Sequence, residues 1–279
     1  MTPSRSVRPP AVAGLFYTSN ARALRREVET MLDAAAEHTK GSGEGLSAVI
    51  APHAGYMYSG FTAACSFNAL SKREFDTAVL IGPSHRELIK GLNVFPGDAY
   101  ATPLGEMDVD KDLAAALVKK GHGLVDSVAG HRTEHALEVQ VPFLQCIRPG
   151  ARIVAITMGD QGAEACENLA EALAETMRGR NAVLIASSDL SHYHPYDEAV
   201  KIDSLLVDKV NLFRPKDLIL LLETEAVEAC GGGPIVAVML AASLLGANAA
   251  HVLRYCNSGD ITGDKSAVVG YMAAVLGTK

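Results

Sequence analysis

The sequence predicts an α/β fold, a three-layer sandwich whose central sheet, largely parallel or mixed, is flanked by helices. Two observations carry this. Short apolar runs of strand length recur, and they are continuous rather than alternating, as expected of strands covered on both faces. Helical patterns separate most of them, and strands alternating with helices imply a parallel sheet between helical layers. A third observation points to function. Several runs end abruptly in polar residues, and in such sheets ligands sit at the carboxyl ends of the strands.

Taken in order, Ala21–His38 reads as an amphipathic helix. Leu24, Val28, Met31 and Leu32 form its apolar face, and Asn20 can cap it. After an irregular start and this helix, Gly41–Gly45 is a flexible turn. Ser47–Pro52 is a strand that runs into His53, and Thr77–Pro83 one that runs into Ser84 and His85. Asn93–Asp110, with Pro96-Gly97 and Leu104-Gly105, makes an added hairpin. Ala151–Met158 leads into Gly159-Asp160, and Ala182–Ala186 into Ser187-Ser188-Asp189. His251–Tyr255 leads into Asn257-Ser258-Gly259-Asp260, and Ala267–Leu276 is the last strand. Helices are expected over Phe61–Leu70, Asp110–Lys120, Glu134–Ile147, Glu164–Arg178 and Glu198–Phe213.

The bulk numbers narrow the function. With 279 residues, 48% of them hydrophobic, the chain can bury a large core. Nothing in the middle resembles a linker, so one domain over residues 1–279 is expected. The net charge is −7, and basic residues cluster no further than pairs such as Arg25-Arg26 and Lys119-Lys120. A phosphate-backbone binder concentrates Lys and Arg on one face, so nucleic-acid binding is not expected. The five cysteines are widely spaced with no CxxC. That argues against a disulfide framework and for a reducing, cytoplasmic compartment. The opening MTPSRSVRPPAVAG has no apolar run of signal-peptide length. Gly231–Ala250 is uncharged and about long enough to span a membrane. It opens with three glycines and Pro234, is rich in Ala, and contains Asn248, so it reads as a buried helix plus a turn, not a span.

His53, in APHAGYMYSG, and His85, in IGPSH, end two successive strands. A lone histidine there is more often a hydrogen-bonded structural residue. Two of them raise each other's weight, because neutral imidazole is the commonest metal-binding side chain. Cys230 directly precedes three glycines and Pro234, which suits a helix's first turn. The helix dipole would then favour its thiolate, the form that binds metal, though a cysteine is also often a small buried hydrophobe. Asp189 stands three residues before His192. The carboxylate could orient the imidazole, His192 could move protons alone, or Asp189 and Ser188 could simply cap the next helix. His194, before Pro195, reads as a surface turn residue. In EHALEVQVPFLQ, residues Glu134, His135, Glu138 and Gln140 lie on an otherwise apolar segment. Ligands there are conceivable, but bracing of a nearby loop is the better reading. Asp260 and Asp264 in NSGDITGD could hold a cation, yet a turn with capped amides is the plainer reading. A serine hydrolase is weakly supported, since no GxSxG elbow is present.

Together AVAGLFY, APHAGYMYSG, IGPSH, EHALEVQVPFLQ, SSDLSHY, ACGGGPI and NSGDITGDKSAVVGY resemble the Memo family, also called AmmeMemoRadiSam system protein B in bacteria and archaea. The resemblance covers nearly the whole chain. It implies a fold similar to class III extradiol ring-cleavage dioxygenases, which hold Fe(II) with two histidines and a glutamate. By that resemblance His53, His85 and Cys230 would hold the metal, His192 would transfer protons, and Asp189 would share the pocket. Phe16, Tyr56 and Ser188 are expected to meet substrate. Iron is the first metal expected, with copper or zinc as alternatives, because a thiolate makes the site softer. The implied function is a metal-dependent oxidoreductase of unknown substrate. The alternative is a binding or partner protein that uses the cleft for a small molecule or peptide, linked to a radical S-adenosylmethionine pathway.

Overall fold

The computed structural model describes residues 5–43 and 45–279. Residues 1–4, part of the irregular start, and Glu44, within the Gly41–Gly45 turn, lie outside the described residues. The strands are β1 (Val7–Arg8), β2 (Leu46–Ala51), β3 (Thr77–Pro83), β4 (Leu92–Val94), β5 (Ala99–Thr102), β6 (Gly105–Asp108), β7 (Leu124–Asp126), β8 (Arg152–Met158), β9 (Ala182–Ser187), β10 (His192–His194), β11 (Ala249–Asn257) and β12 (Val268–Gly277). The helices are α1 (Ala21–Ala35), α2 (Phe61–Ser71), α3 (Lys111–Lys120), α4 (Val141–Ile147), α5 (Ala163–Met177), α6 (Tyr196–Asn211), α7 (Pro215–Glu223), α8 (Gly232–Leu244) and α9 (Ser258–Thr262).

The main sheet is mixed. Its centre is parallel, in the order β2-β9-β3-β8. Antiparallel strands flank this centre, β12 beside β2 and β4 beside β8, and β10 and β11 both pair antiparallel with β12. The expected hairpin forms as β5 and β6, which join β1 in a separate small sheet. All seven residues of β3 are buried, so the continuous apolar run does mark a strand covered on both faces. The cover comes from two groups of helices. One is α1, α2 and α4, with α2 lying on β2 and β12; the other is α5, α7 and α8, with α8 lying on β2, β3 and β9.

Local sequence explains most boundaries. Asn20 accepts the Ala23 amide at 2.9 Å and caps α1. Leu24, Val28, Leu32 and Ala35 then recur at helical spacing and are buried, while Met31 sits half-buried at the flank. Asp110 caps α3 in the same way, through the Leu113 amide. Gly231–Ala250 is α8 followed by a turn and the start of β11, and no helix among the described residues is long and apolar enough to cross a membrane. Asp260 completes a capping box with Asn257 at the start of α9, the capped turn the sequence suggested.

The segment Glu134–Ile147 departs from expectation. Only Val141–Ile147 is α-helical; Glu138–Gln140 is a short 3-10 turn and the residues before it are irregular. Pro142 has no amide to donate backwards, so the helix begins around it. Upstream, the Glu134 carboxylate takes the amides of His135 and Ala136, which competes with helix formation.

Both acids of this segment are buried and paired. Glu138 accepts Arg8 Nη1 at 2.7 Å, the Tyr17 hydroxyl at 2.6 Å, and the amides of Ala11 and Val12. Arg8 also donates to the carbonyls of His131 and Glu134 and lies over the Tyr100 ring. This cluster fastens the N-terminal segment to the loop before α4. Next to it, buried His131 is held neutral: Nε2 faces the Asn93 carbonyl, Nδ1 faces the Tyr100 hydroxyl, and burial pushes its pKa down to about 4.

Two outcomes follow. Glu138→Gln strands the buried Arg8 charge and should cost about 3–5 kcal/mol in urea unfolding; unchanged stability would show that the pair does not anchor this loop. His131 binds its proton more readily unfolded, near pH 6.5, than folded, near 4. Its contribution is therefore complete above about pH 6.5 and is lost as pH falls toward 4. Between pH 7 and 5 it should remove about 2 kcal/mol from wild type, a loss missing from His131→Gln. Parallel slopes for the two proteins would contradict this.

Candidate metal centre

The parallel order of β2, β9, β3 and β8 brings their carboxyl ends to one edge of the sheet. His53 follows β2, Ser187 and Asp189 end β9, and His85 follows β3, so the two histidines straddle the end of β9. The loop before α4 folds over this edge and delivers His135. Gly82 permits the approach: a Cβ there would lie 2.8 Å from Leu137 and 3.4 Å from Ala136.

His53, His85 and His135 each offer a ring nitrogen, and the three atoms lie within 4.8 Å of one another. Ring centroids are 5.1 Å apart for His53–His85, 5.4 Å for His53–His135 and 4.8 Å for His85–His135. This is the donor set that the fold assembles, and it corrects the expected set of His53, His85 and Cys230. Cys230 stands beside the group rather than in it. Its sulfur is 3.1 Å from His53 Nε2 and receives the Asp189 amide at 3.3 Å. It does precede α8, as expected, but burial pushes its thiol well above the usual range, and neighbouring Asp189 adds to that. Desolvation of a full charge outweighs the partial charge of a helix end, so without an ion beside it burial favours the protonated thiol.

Hydrogen-bond bookkeeping fixes the tautomers. The Ser187 hydroxyl gives its single proton to the Ala136 carbonyl at 2.6 Å and accepts from Gln140 Nε2 at 2.8 Å. Its 3.0 Å contact with His53 Nδ1 must therefore be donated by the ring, which leaves the lone pair on Nε2. At His85, Nδ1 lies 2.9 Å from Glu134 Oε1, and Oε2 takes the His85 amide. Burial alone would raise the Glu134 pKa, but the His85 bond and the amide bonds outweigh it and hold the carboxyl at about 2. An ionised carboxylate only accepts, so the proton of this bond sits on His85 Nδ1. This is the carboxylate–histidine pairing that orients metal ligands.

His135 Nδ1 is buried without a hydrogen-bond partner; it lies 3.2 Å from Glu134 Oε1 but makes no bond to it. Burial is the largest cause pushing His53 well below its usual pKa, and it outweighs the opposing Glu134 charge to bring His135 down to about 4. Burial thus favours the neutral form of His53 and His135, the form that binds a metal. An unpartnered buried nitrogen on His135 and two rings oriented through Nδ1 fit a transition-metal ion.

The three histidines open into a cleft of about 520 Å³, which Phe16, Tyr58, Asp189 and His192 also line. The Phe16 ring packs 4.7 Å from His135. Asp189 Oδ1 accepts the His53 amide at 2.7 Å rather than bonding His192, and burial pushes its carboxyl up to about 7. Two residues expected to meet substrate face elsewhere. Tyr56 is buried against Tyr17 and Phe143, with its hydroxyl on the Val139 carbonyl. Ser188 is buried, donating to the Asp189 carbonyl and accepting the Gly231 amide. Tyr58, two residues after Tyr56 in the π-turn Tyr56–Gly60, takes the cleft position instead. His194 sits at the surface against Glu228.

From sequence, a ligand role for His135 ranked behind bracing of a nearby loop, whereas the fold brings its ring to His53 and His85. The signal that could have found it was the buried-acid pattern around it: Glu134 is the partner of His85, which carries the adjacent His135 to the same place.

A family model described as Memo-like protein matches residues 8–275. A MEMO1 family protein of Methanothermobacter thermautotrophicus is 39% identical over 277 residues, covering 95% of this chain and 98% of the relative. One from Aeropyrum pernix is also 39% identical, covering 96% and 98%. Among solved structures, an uncharacterized protein from Escherichia coli K12 is similar in fold, with a TM-score of 0.56 at 16% identity, covering 83% of this chain and 99% of that one. The chain belongs to the Memo family.

Proposed function

We propose that this chain is a metal-dependent enzyme in which His53, His85 and His135 hold one transition-metal ion at the base of the cleft. One observation carries the reading: three imidazoles converge, two oriented through Nδ1 by their hydrogen bonds and one with a buried nitrogen unpartnered. Three protein donors leave at least one position open, the pattern of catalytic rather than structural sites. A bound ion would supply Lewis-acid polarisation of a ligand at that open position. Imidazole donors suit iron, copper and zinc alike, and iron is the first to assay.

The chain's own residues supply the rest. Glu134 and Ser187 hold two rings in place. Phe16 and Tyr58 present apolar faces to a substrate. His192, half-buried on the cleft wall with its pKa lowered by burial, can move a proton at neutral pH. Asp189 shares that wall. The mixed sheet with histidines at its carboxyl edge also supports kinship of fold with class III extradiol dioxygenases. All five cysteines are free thiols, which supports a cytoplasmic setting.

Metal analysis after anaerobic purification tests the centre. Wild type and Cys230→Ser should carry one ion per chain, while His85→Ala and His135→Ala lose it. Loss in Cys230→Ser with retention in His135→Ala would overturn the three-imidazole set. Glu134→Gln, measured by competition with a chelator, should weaken metal affinity about 10–100-fold; unchanged affinity would mean that the carboxylate does not orient His85.

A further inference from the structure

We propose that the cleft is built for a small organic acid with an apolar body, its carboxylate bound by Arg86 and its body covered by Leu15, Met57 and Tyr193. The proposal rests on the cleft being the functional site and names the chemistry of its ligand.

The first argument is charge. The protein carries a net charge of −7, yet its cleft is not acidic. Arg86 lines the cleft directly after His85 and also faces the neighbouring groove formed by Pro9, Pro10 and Arg132. Arg132 is occupied by Glu87 at 2.8 Å. Arg86 makes no ion pair among the described residues. The other charges nearby are committed: Glu134 to His85 and backbone amides, and Asp189 to the His53 amide. Arg86 therefore faces the cleft with its guanidinium uncommitted, next to the proposed centre. An unpaired guanidinium beside such a centre selects an anion, and its planar fork matches a carboxylate.

The second argument is the rim. Leu15, Met57 and Tyr193 line the same cleft and are 81%, 71% and 76% exposed. Large apolar side chains this open, grouped around one mouth, mark a surface that a ligand covers. Tyr193 is held at φ 64, a backbone region that residues other than glycine rarely adopt. Such strain persists where the surroundings impose it, and it collects at ligand clamps. The volume of about 520 Å³ suits a small molecule. A cation beside the metal and an apolar collar above it specify a ligand with one charged end.

Calorimetric titration of the purified protein with phenylacetate, its neutral analogue phenylacetamide, and acetate tests this. Wild type should bind phenylacetate about tenfold or more tightly than either of the others. Arg86→Met should abolish the preference for phenylacetate over phenylacetamide, while Leu15→Ser with Met57→Ser should weaken both together. Equal binding of the acid and the amide, a preference surviving in Arg86→Met, or no saturable binding would overturn the proposal. Metal content is measured on the same samples. Metal-free wild type that still prefers the acid through Arg86 would uphold the anion site and overturn the metal centre; metal-loaded wild type indifferent to charge would do the reverse.

Discussion

A carboxylate taken out of water must be fully hydrogen-bonded or it will not stay ionised, and two of them, Glu134 and Glu138, are buried on one short segment. Their need for partners fixes what surrounds the edge of the sheet. Glu138 draws in Arg8, Tyr17 and two backbone amides, so the N-terminal segment lies against the loop before α4. Glu134 draws in the ring and amide of His85 and the amides of its own neighbours. One segment thus ties the entry of the chain to the end of β3, and Phe16 reaches the cleft as a consequence.

The same partnering decides the chemistry of the centre. Ser187 has one proton and spends it on the Ala136 carbonyl, so His53 must donate from Nδ1. Glu134 has no proton to give, so His85 must donate as well. Both rings are left presenting Nε2. Burial favours the neutral form of His53 and His135, the form that can accept a cation. At Cys230, a few ångströms away, burial without an ion beside it favours the protonated thiol.

Close backbone approach completes the arrangement. A Cβ on Gly231 would fall 2.4 Å from the Ser187 carbonyl, so only glycine lets the start of α8 lie against the end of β9. Gln161 holds that start from the other side, donating to the Cys230 carbonyl and accepting the Gly233 amide. The glycines of ACGGGPI are therefore packing devices in the first instance, and they set how near the sulfur comes to His53.

The layered α/β fold, the strands ending at His53, His85 and Asp189, and the cap at Asn20 were legible in the sequence, because period, propensity and capping are local properties. The mixed edges, the irregular Glu134–Leu137 segment and the outward or inward turn of Tyr58 and Tyr56 were not. Local residues alone determined that two histidines would meet at the edge of a parallel sheet. Only the tertiary structure decided that His135 joins them while Cys230 stands beside the group, because that placement turns on how a distant loop satisfies a buried carboxylate and on how closely the start of α8 packs against β9, and neither is written in the spacing of residues along the chain.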